Sequence, residues 1–150
     1  MANTQDEKAK YKFKMKLEVR WSDMDQMGHV NNALYLTYFE QARIEYLQEV
    51  CQWNWTETGA ILANAYVDYR LPIVYPAPTH VYVRVSKMGN KSFEISYMIV
   101  AQIAGKEEIT TTGYTTLVVF DYDKQQSVSI PETIRQQIET YENQTFELKS

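Results

Sequence analysis

The sequence predicts an α+β fold in which one long central helix is wrapped by a curved five-stranded antiparallel sheet. Residues 33–50 contain no Gly or Pro and many apolar side chains, which favours a single long helix. Apolar and polar side chains alternate in one segment before this run and in four segments after it, which is the period of strands. Short turn sequences join most of the later segments, which favours antiparallel pairing.

The polar residues 1–10 predict a flexible N-terminal tail, and the domain is predicted to span residues 11–141. Its first strand is indicated by apolar and charged side chains that alternate from Tyr11 to Trp21. A loop follows, and then the long helix. Apolar residues surround much of this helix, so it is expected to be covered on most sides.

Four further strands are predicted after the helix. Gly89-Asn90 and Gly105-Lys106 predict tight turns between neighbouring strands. The run Ser129-Ile130-Pro131-Glu132 resembles a capping box and predicts a short C-terminal helix, followed by a polar tail over residues 142–150. The four alternating segments are residues 61–71, 81–85, 93–103 and 108–120.

Composition excludes several classes of function. The chain has 150 residues, of which 45% are hydrophobic and 23% charged, and this fits one folded domain. The net charge of −4 provides no basic surface for nucleic acid, and no apolar run is long enough for a membrane span. The single cysteine, Cys51, excludes an internal disulfide, is expected to be inert, and indicates a reducing, cytoplasmic location. No cofactor or metal is predicted.

The most unusual segment is the loop before the long helix, residues 20–32, which contains two Asp, one Gly, one His and two Asn residues. Asn31 or Asn32 is expected to cap the helix. Unpaired N–H groups and the positive dipole end suit a polarised carbonyl there, and Asp25 just before them could attack it or activate water. These groups would suffice for ester or thioester hydrolysis without serine, cysteine or metal. On spacing alone, ordinary turn chemistry remains the default interpretation.

A longer pattern resembles a known family. The run Asp25-x-x-Gly-His-Val-Asn-Asn-x-x-Tyr-x-x-Tyr-x-Glu-x-x-Arg43 is similar to the signature of hotdog-fold thioesterases, the 4-hydroxybenzoyl-CoA thioesterase-like family. Long-chain acyl-CoA and plant acyl carrier protein thioesterases are relatives of that family. The resemblance implies the hotdog fold, hydrolysis of an acyl-CoA or acyl carrier protein thioester to acid and thiol, and a homodimer or homotetramer.

The resemblance also implies catalytic roles for three residues. Asp25 matches the family's catalytic carboxylate, which acts either as nucleophile or as general base toward water. The backbone N–H of Asn32 would polarise the thioester carbonyl, and His29 would orient the carboxylate, water or thioester. Met27 stands where the acyl carrier protein branch has asparagine, which favours the simpler mechanism with one carboxylate and the helix amide.

Substrate contacts are expected on the same loop and on a basic hairpin, residues 87–92. A basic hairpin suits the phosphates of CoA, although an ordinary solvated turn is an equally good interpretation. This hairpin could come from the partner subunit, and Arg70 is a second candidate cation. The predicted substrate-binding residues are Gly28, Val30, Asn31, Tyr35, Lys87, Asn90, Lys91 and Ser92.

Other residues of the signature are expected to be structural. Asp23 would shape the loop, and Glu40 and Arg43 would pair on the helix surface. Tyr35 and Tyr38 are expected in the core or in the wall of an acyl pocket.

Two alternative functions stay open. An enoyl-CoA hydratase of the same fold would use a different Asp–His spacing, and Asp25 with His29 followed by Val-Asn-Asn suits the thioesterases better. A non-catalytic acyl-CoA-binding protein would have no need of Asp25.

Overall fold

The computed structural model describes residues 3–147 and shows an antiparallel sheet wrapped around one long helix. Two short 3-10 turns, Trp21–Asp23 and Asn32–Leu34, lie between the first strand and the long helix. The predicted order of strand, long helix, four strands and C-terminal helix is confirmed. In chain order the elements are α1 (Thr4–Lys8), β1 (Phe13–Lys16), α2 (Tyr35–Cys51), β2 (Gly59–Tyr69), β3 (Thr79–Met88), β4 (Ser92–Ile103), β5 (Lys106–Asp121), β6 (Gln126–Ser127) and α3 (Glu132–Glu142).

The five main strands pair in the order β1-β3-β4-β5-β2, and β6 adds two residues beside β5. The strand predicted from Tyr11 to Trp21 is shorter than expected. β1 ends at Lys16, and the chain then leaves the sheet after a last bond from the N–H of Leu17 to the carbonyl of Thr79, 2.9 Å. The chain must leave the sheet here because the next segment crosses to the start of α2.

The two predicted turns connect neighbouring strands. Gly89-Asn90 lies between β3 and β4, as expected. The turn between β4 and β5 is one residue earlier than predicted, at Ala104-Gly105. Both residues have positive φ, 51° and 80°, which matches the right-handed twist of the two strands.

The long helix α2 buries one face against the sheet. Phe39 stacks on Tyr97 of β4, with ring centroids 4.2 Å apart. Gly113 of β5 allows this close approach, because a Cβ there would lie 2.7 Å from Phe39 Cε2. Outside that face, Leu36 and Ile44 stay 43% and 45% exposed. The expectation of a helix covered on most sides is therefore wrong for a single chain.

The N-terminal segment covers the outer face of the sheet. Tyr82, Met98 and Val100 form a small apolar cluster there, and Tyr11 packs against it. Lys8 of α1 is tied to Glu107 at 2.9 Å. The segment predicted as a flexible tail thus contains a helix that the polar composition did not reveal, and residues 1–2 lie outside the described part.

The C-terminal helix α3 packs on α2 and β3. The predicted capping box does not form, because Pro131 itself is the N-cap and offers no side-chain acceptor. Beyond α3, Phe146 is buried in the core, so the predicted polar tail is partly docked, and residues 148–150 lie outside the described part. Among residues 3–147, no helix combines the length and the hydropathy needed to cross a membrane.

Candidate active site

The loop between β1 and α2 is anchored by a buried carboxylate. Asp23 is 1% exposed, and its side chain accepts hydrogen bonds from the backbone N–H of Arg20 (3.1 Å), the Nε–H of the Arg20 guanidinium (3.1 Å) and the Tyr38 hydroxyl (2.7 Å). Its carbonyl accepts from the N–H of Asn31 at 2.9 Å, which joins the two ends of the loop. The prediction that Asp23 shapes the loop is confirmed by these contacts.

The charge states of this anchor follow from its contacts. Burial raises the pKa of Asp23, but the bonds from the Arg20 N–H, the Tyr38 hydroxyl and the Arg20 guanidinium together hold that pKa below its usual value. Burial and the bond to Asp23 raise the pKa of Tyr38. Asp23 is therefore ionised and Tyr38 protonated at neutral pH, and α2 is tied to the loop by a charge-assisted hydrogen bond.

Asp25 lies at the exposed end of the anchored loop. Its Oδ1 accepts from the N–H of Met27 at 2.9 Å and from the N–H of His29 at 3.4 Å. Its backbone N–H donates to the His29 carbonyl at 2.8 Å, and Gly28 supplies the left-handed φ of 79° that the tight turn needs. The loop backbone thus orients the carboxylate, and no hydrogen bond to Oδ2 is present within residues 3–147.

The helix begins beside this loop. The Asn31 side chain accepts from the N–H of Ala33 at 2.9 Å, so Asn31 is the cap. The backbone N–H of Asn32 makes no hydrogen bond in the described part of the chain, as expected for a first-turn amide. Its carbonyl accepts from the Tyr69 hydroxyl at 3.0 Å, which connects the helix start to the end of β2.

A cavity of about 350 Å³ brings these groups together. Five of the predicted site residues line it, whereas Gly28 and Asn31 shape the backbone beside it. Met27 and Arg70 line it too, as do three residues that were not predicted: Tyr69, Leu71 and Pro72. The hydrogen bond from the N–H of Val30 to the carbonyl of Ile73, 2.9 Å, brings that segment beside the loop. The five predicted lining residues are Asp25, His29, Val30, Asn32 and Tyr35.

The basic hairpin lies far from this cavity in the same chain. Lys87 and Ser92 line a different cavity of about 410 Å³, together with the segment after α3. The loop of Asp25 joins the Thr79 end of β3, whereas the hairpin follows the other end of this 10-residue strand, ~30 Å away. Lys87, Asn90, Lys91 and Ser92 therefore do not meet Asp25 within one chain.

Two signature residues and the cysteine have local partners. Arg43 lies 3.5 Å from Glu40 on α2, as predicted. Cys51 is buried, and its thiol donates to the Leu47 carbonyl at 3.3 Å. Burial raises the pKa of this thiol to about 11, so little reactive thiolate exists at neutral pH.

The fold is that of the hotdog thioesterases, and comparison with known proteins identifies the family. Residues 19–138 match the model of the thioesterase-like superfamily. The chain therefore belongs to this superfamily, and the predicted fold and family are confirmed.

Individual relatives are similar over much of the chain. The long-chain acyl-CoA thioesterase FadM of Escherichia coli (strain K12) is 25% identical over 126 residues, 82% of this chain and 94% of that protein. The uncharacterized protein YsmA of Bacillus subtilis (strain 168) is 30% identical over 95 residues, 63% of this chain and 65% of that protein. A thioesterase from Thermus thermophilus, solved with coenzyme A and Zn, superposes with a TM-score of 0.79 at 29% identity, over 91% of this chain and 98% of that one.

Proposed function

We propose that this protein hydrolyses the thioester bond of acyl-CoA, or of an acyl carrier protein, to a free acid and a thiol. The observation that carries the proposal is a single cavity lined by both Asp25 and Asn32, the first residue of the 3-10 turn that leads into α2. A thioester carbonyl needs a carboxylate or an activated water on its carbon and a hydrogen-bond donor on its oxygen. The similarity to an acyl-CoA thioesterase and to a thioesterase solved with coenzyme A supports the substrate class.

In the proposed reaction, the N–H of Asn32 donates to the carbonyl oxygen and stabilises the negative charge that develops there. Asp25 then acts in one of two ways. As general base it removes a proton from water while the water oxygen bonds to the carbonyl carbon, the C–S bond breaks, and the thiolate takes up the proton. As nucleophile it bonds to the carbon, expels the thiolate, and water hydrolyses the resulting anhydride. His29 lines the same cavity and would orient the water or the thioester.

The test of this function is the release of free thiol from aromatic and aliphatic acyl-CoA thioesters of several lengths. Hydrolysis by the purified protein is expected, with a preference among acyl groups. If no acyl-CoA is hydrolysed, the same assay with acyl carrier protein thioesters decides the matter. Inactivity on both classes, with binding of acyl-CoA retained, would contradict hydrolysis and favour a binding protein.

We further propose a homodimer formed through β2. This strand ends the sheet, so one side of its 11 residues lacks a strand partner within the described chain. Ile61, Leu62, Tyr66 and Tyr69 are 40%, 44%, 52% and 48% exposed. A long apolar edge strand promotes association, and pairing with a second copy would cover it.

This pairing would also bring the basic hairpin to the active site. Two copies of one strand that pair about a two-fold axis run antiparallel, so Tyr69 of one subunit would lie toward Gly59 of the partner subunit. Gly59 is opposite Phe120, and the carbonyl of Lys91 accepts from the N–H of Val119 at 2.8 Å. The hairpin thus lies at the Gly59 end of the sheet, and in the proposed dimer it would lie near the candidate site of the partner subunit.

The double substitution Leu62→Lys/Tyr66→Lys is expected to convert the dimer to a monomer, because charged side chains oppose strand pairing at an edge. Light scattering measures the mass of the variant. Its rate of thiol release should be about tenfold lower than that of the wild type if cations of the partner subunit hold the phosphates through charge-assisted hydrogen bonds. Ile44→Lys, at a similarly exposed apolar site on α2, is the matched control. A wild-type protein that is monomeric would refute the proposal.

A further inference from the structure

A second cavity lies directly beside the cavity of Asp25. It has a volume of about 570 Å³, within the range of roughly 300–1,000 Å³ typical of small-molecule sites. Leu71 and Pro72 line both cavities and form the boundary between them. The two cavities therefore adjoin at the segment that follows β2.

The second cavity has an apolar lining. None of its 11 lining residues carries a charge, and Gln102 is its only amide side chain. Four of its apolar side chains remain well exposed to solvent: Leu71 (39%), Val74 (45%), Tyr75 (43%) and Ile103 (37%). Single exposed apolar residues are common, but a contiguous group that lines one concave surface marks a binding site.

The walls of this cavity are rigid. Three of the four prolines of the chain, Pro72, Pro76 and Pro78, lie in its lining and fix the local φ angles. The N–H of Ala77 donates to the Val74 carbonyl at 3.0 Å, and the N–H of Gln102 donates to the Pro78 carbonyl at 3.0 Å. Because the second bond ties the segment to the end of β4, the cavity is formed before any ligand enters.

We propose that this cavity binds the hydrocarbon chain of the acyl group, an inference that rests on the proposed hydrolysis at Asp25. With the thioester carbonyl between Asp25 and the N–H of Asn32, the chain passes over Leu71 and Pro72 into the apolar cavity. The lining excludes the phosphates of CoA as occupants, because it offers them no cation. The preferred substrates are thus aliphatic thioesters long enough to cross Leu71 and Pro72.

The test compares kcat/KM for acetyl-, octanoyl- and palmitoyl-CoA. Each methylene that enters the cavity strengthens binding by up to about fourfold, so kcat/KM should rise from acetyl- to octanoyl-CoA. Val74→Asp places a charge in the chain's path and should lower kcat/KM for the two longer substrates by about tenfold or more, mainly through KM. Its effect on acetyl-CoA should stay within about twofold. Ile44→Asp, at a site with the same 45% exposure as Val74, is the control and should leave kcat/KM unchanged for all three substrates.

The outcomes separate the cavity from the reaction. An equal loss for all three substrates in Val74→Asp, or no loss for any, would overturn the assignment of the acyl chain. If the wild type hydrolyses no thioester, the reaction fails and the cavity is tested alone by titration with dodecanoate. Binding of dodecanoate to the wild type but not to Val74→Asp would support the assignment of the cavity to the acyl chain. No binding of dodecanoate to the wild type would refute that assignment. A lower oligomer mass for Val74→Asp would assign the cavity to an interface between copies instead.

Discussion

Replacement of Asp25 by Asn is expected to lower the rate of thioester hydrolysis by about 10²-fold or more. The amide keeps an oxygen that can accept from the N–H groups of Met27 and His29, so the loop should keep its conformation. What the variant loses is the negative charge and the basicity of the second oxygen, which either mechanism requires. The measurement is kcat/KM for the best acyl-CoA by thiol release, with circular dichroism and the Tm to establish that the fold is intact.

Two further variants make this result specific. Asp68→Asn removes another exposed carboxylate, 3.0 Å from Arg70 and outside the cavity lining, and should leave kcat/KM within about threefold. His29→Ala should cost less than Asp25→Asn, because His29 is proposed only to orient groups. An Asp25→Asn variant within a few-fold of wild type would eliminate Asp25 as the reacting group. An equal loss in His29→Ala would give the imidazole a direct part in the reaction.

The fold could be predicted from the sequence wherever the spacing of apolar side chains within a segment matches the face that the segment buries. The long run without Gly or Pro is α2, and the alternating segments are the strands of the sheet. The prediction was wrong where distant partners decide the outcome. Alternation from Tyr11 to Trp21 continues past the last strand residue, Lys16, because the loop that follows buries side chains by other contacts. The helix α1 is tied to β5 by the ion pair between Lys8 and Glu107, a distant contact that no local pattern in residues 1–10 could indicate.

The candidate site divides in the same way. Asp25, His29 and Asn32 are close in sequence, so one motif predicted all three, and the structure places them around one cavity. Tyr69, Leu71 and Pro72 complete that cavity from a segment about 40 residues further along the chain. The hydrogen bond from the N–H of Val30 to the carbonyl of Ile73 holds this segment beside the loop. Sequence periodicity does not report such long-range contacts. The roles of the three motif residues stay predictions, as do the contacts of the basic hairpin and the cytoplasmic location.

Replacement of Asp23 by Asn is expected to lower the free energy of unfolding by about 3 kcal/mol, although Asp23 lies outside the cavity lining. The Arg20 guanidinium donates to Oδ1, whereas the Arg20 backbone N–H and the Tyr38 hydroxyl both donate to Oδ2. An amide can accept at only one of its two terminal atoms, so the donors at one of these two positions would face an NH₂ group. Hydrolysis should fall as well, because the same carboxylate fixes the loop that presents Asp25. Urea unfolding at about pH 7 gives the difference in stability, and Tyr38→Phe, which removes one bond, should cost about half as much.

The pH dependence tests whether the charge of Asp23 is the cause. Its hydrogen bonds hold the pKa of Asp23 in the folded protein below its ordinary value, which lies near 4 in the unfolded chain. The stabilisation is therefore complete above about pH 5 and is lost as the pH falls through the folded-state pKa. The difference in unfolding free energy between wild type and Asp23→Asn should be constant from about pH 7 to pH 5 and should shrink below about pH 4. A difference that persists at about pH 2 would show that the shape of the carboxylate, and not its charge, holds the loop.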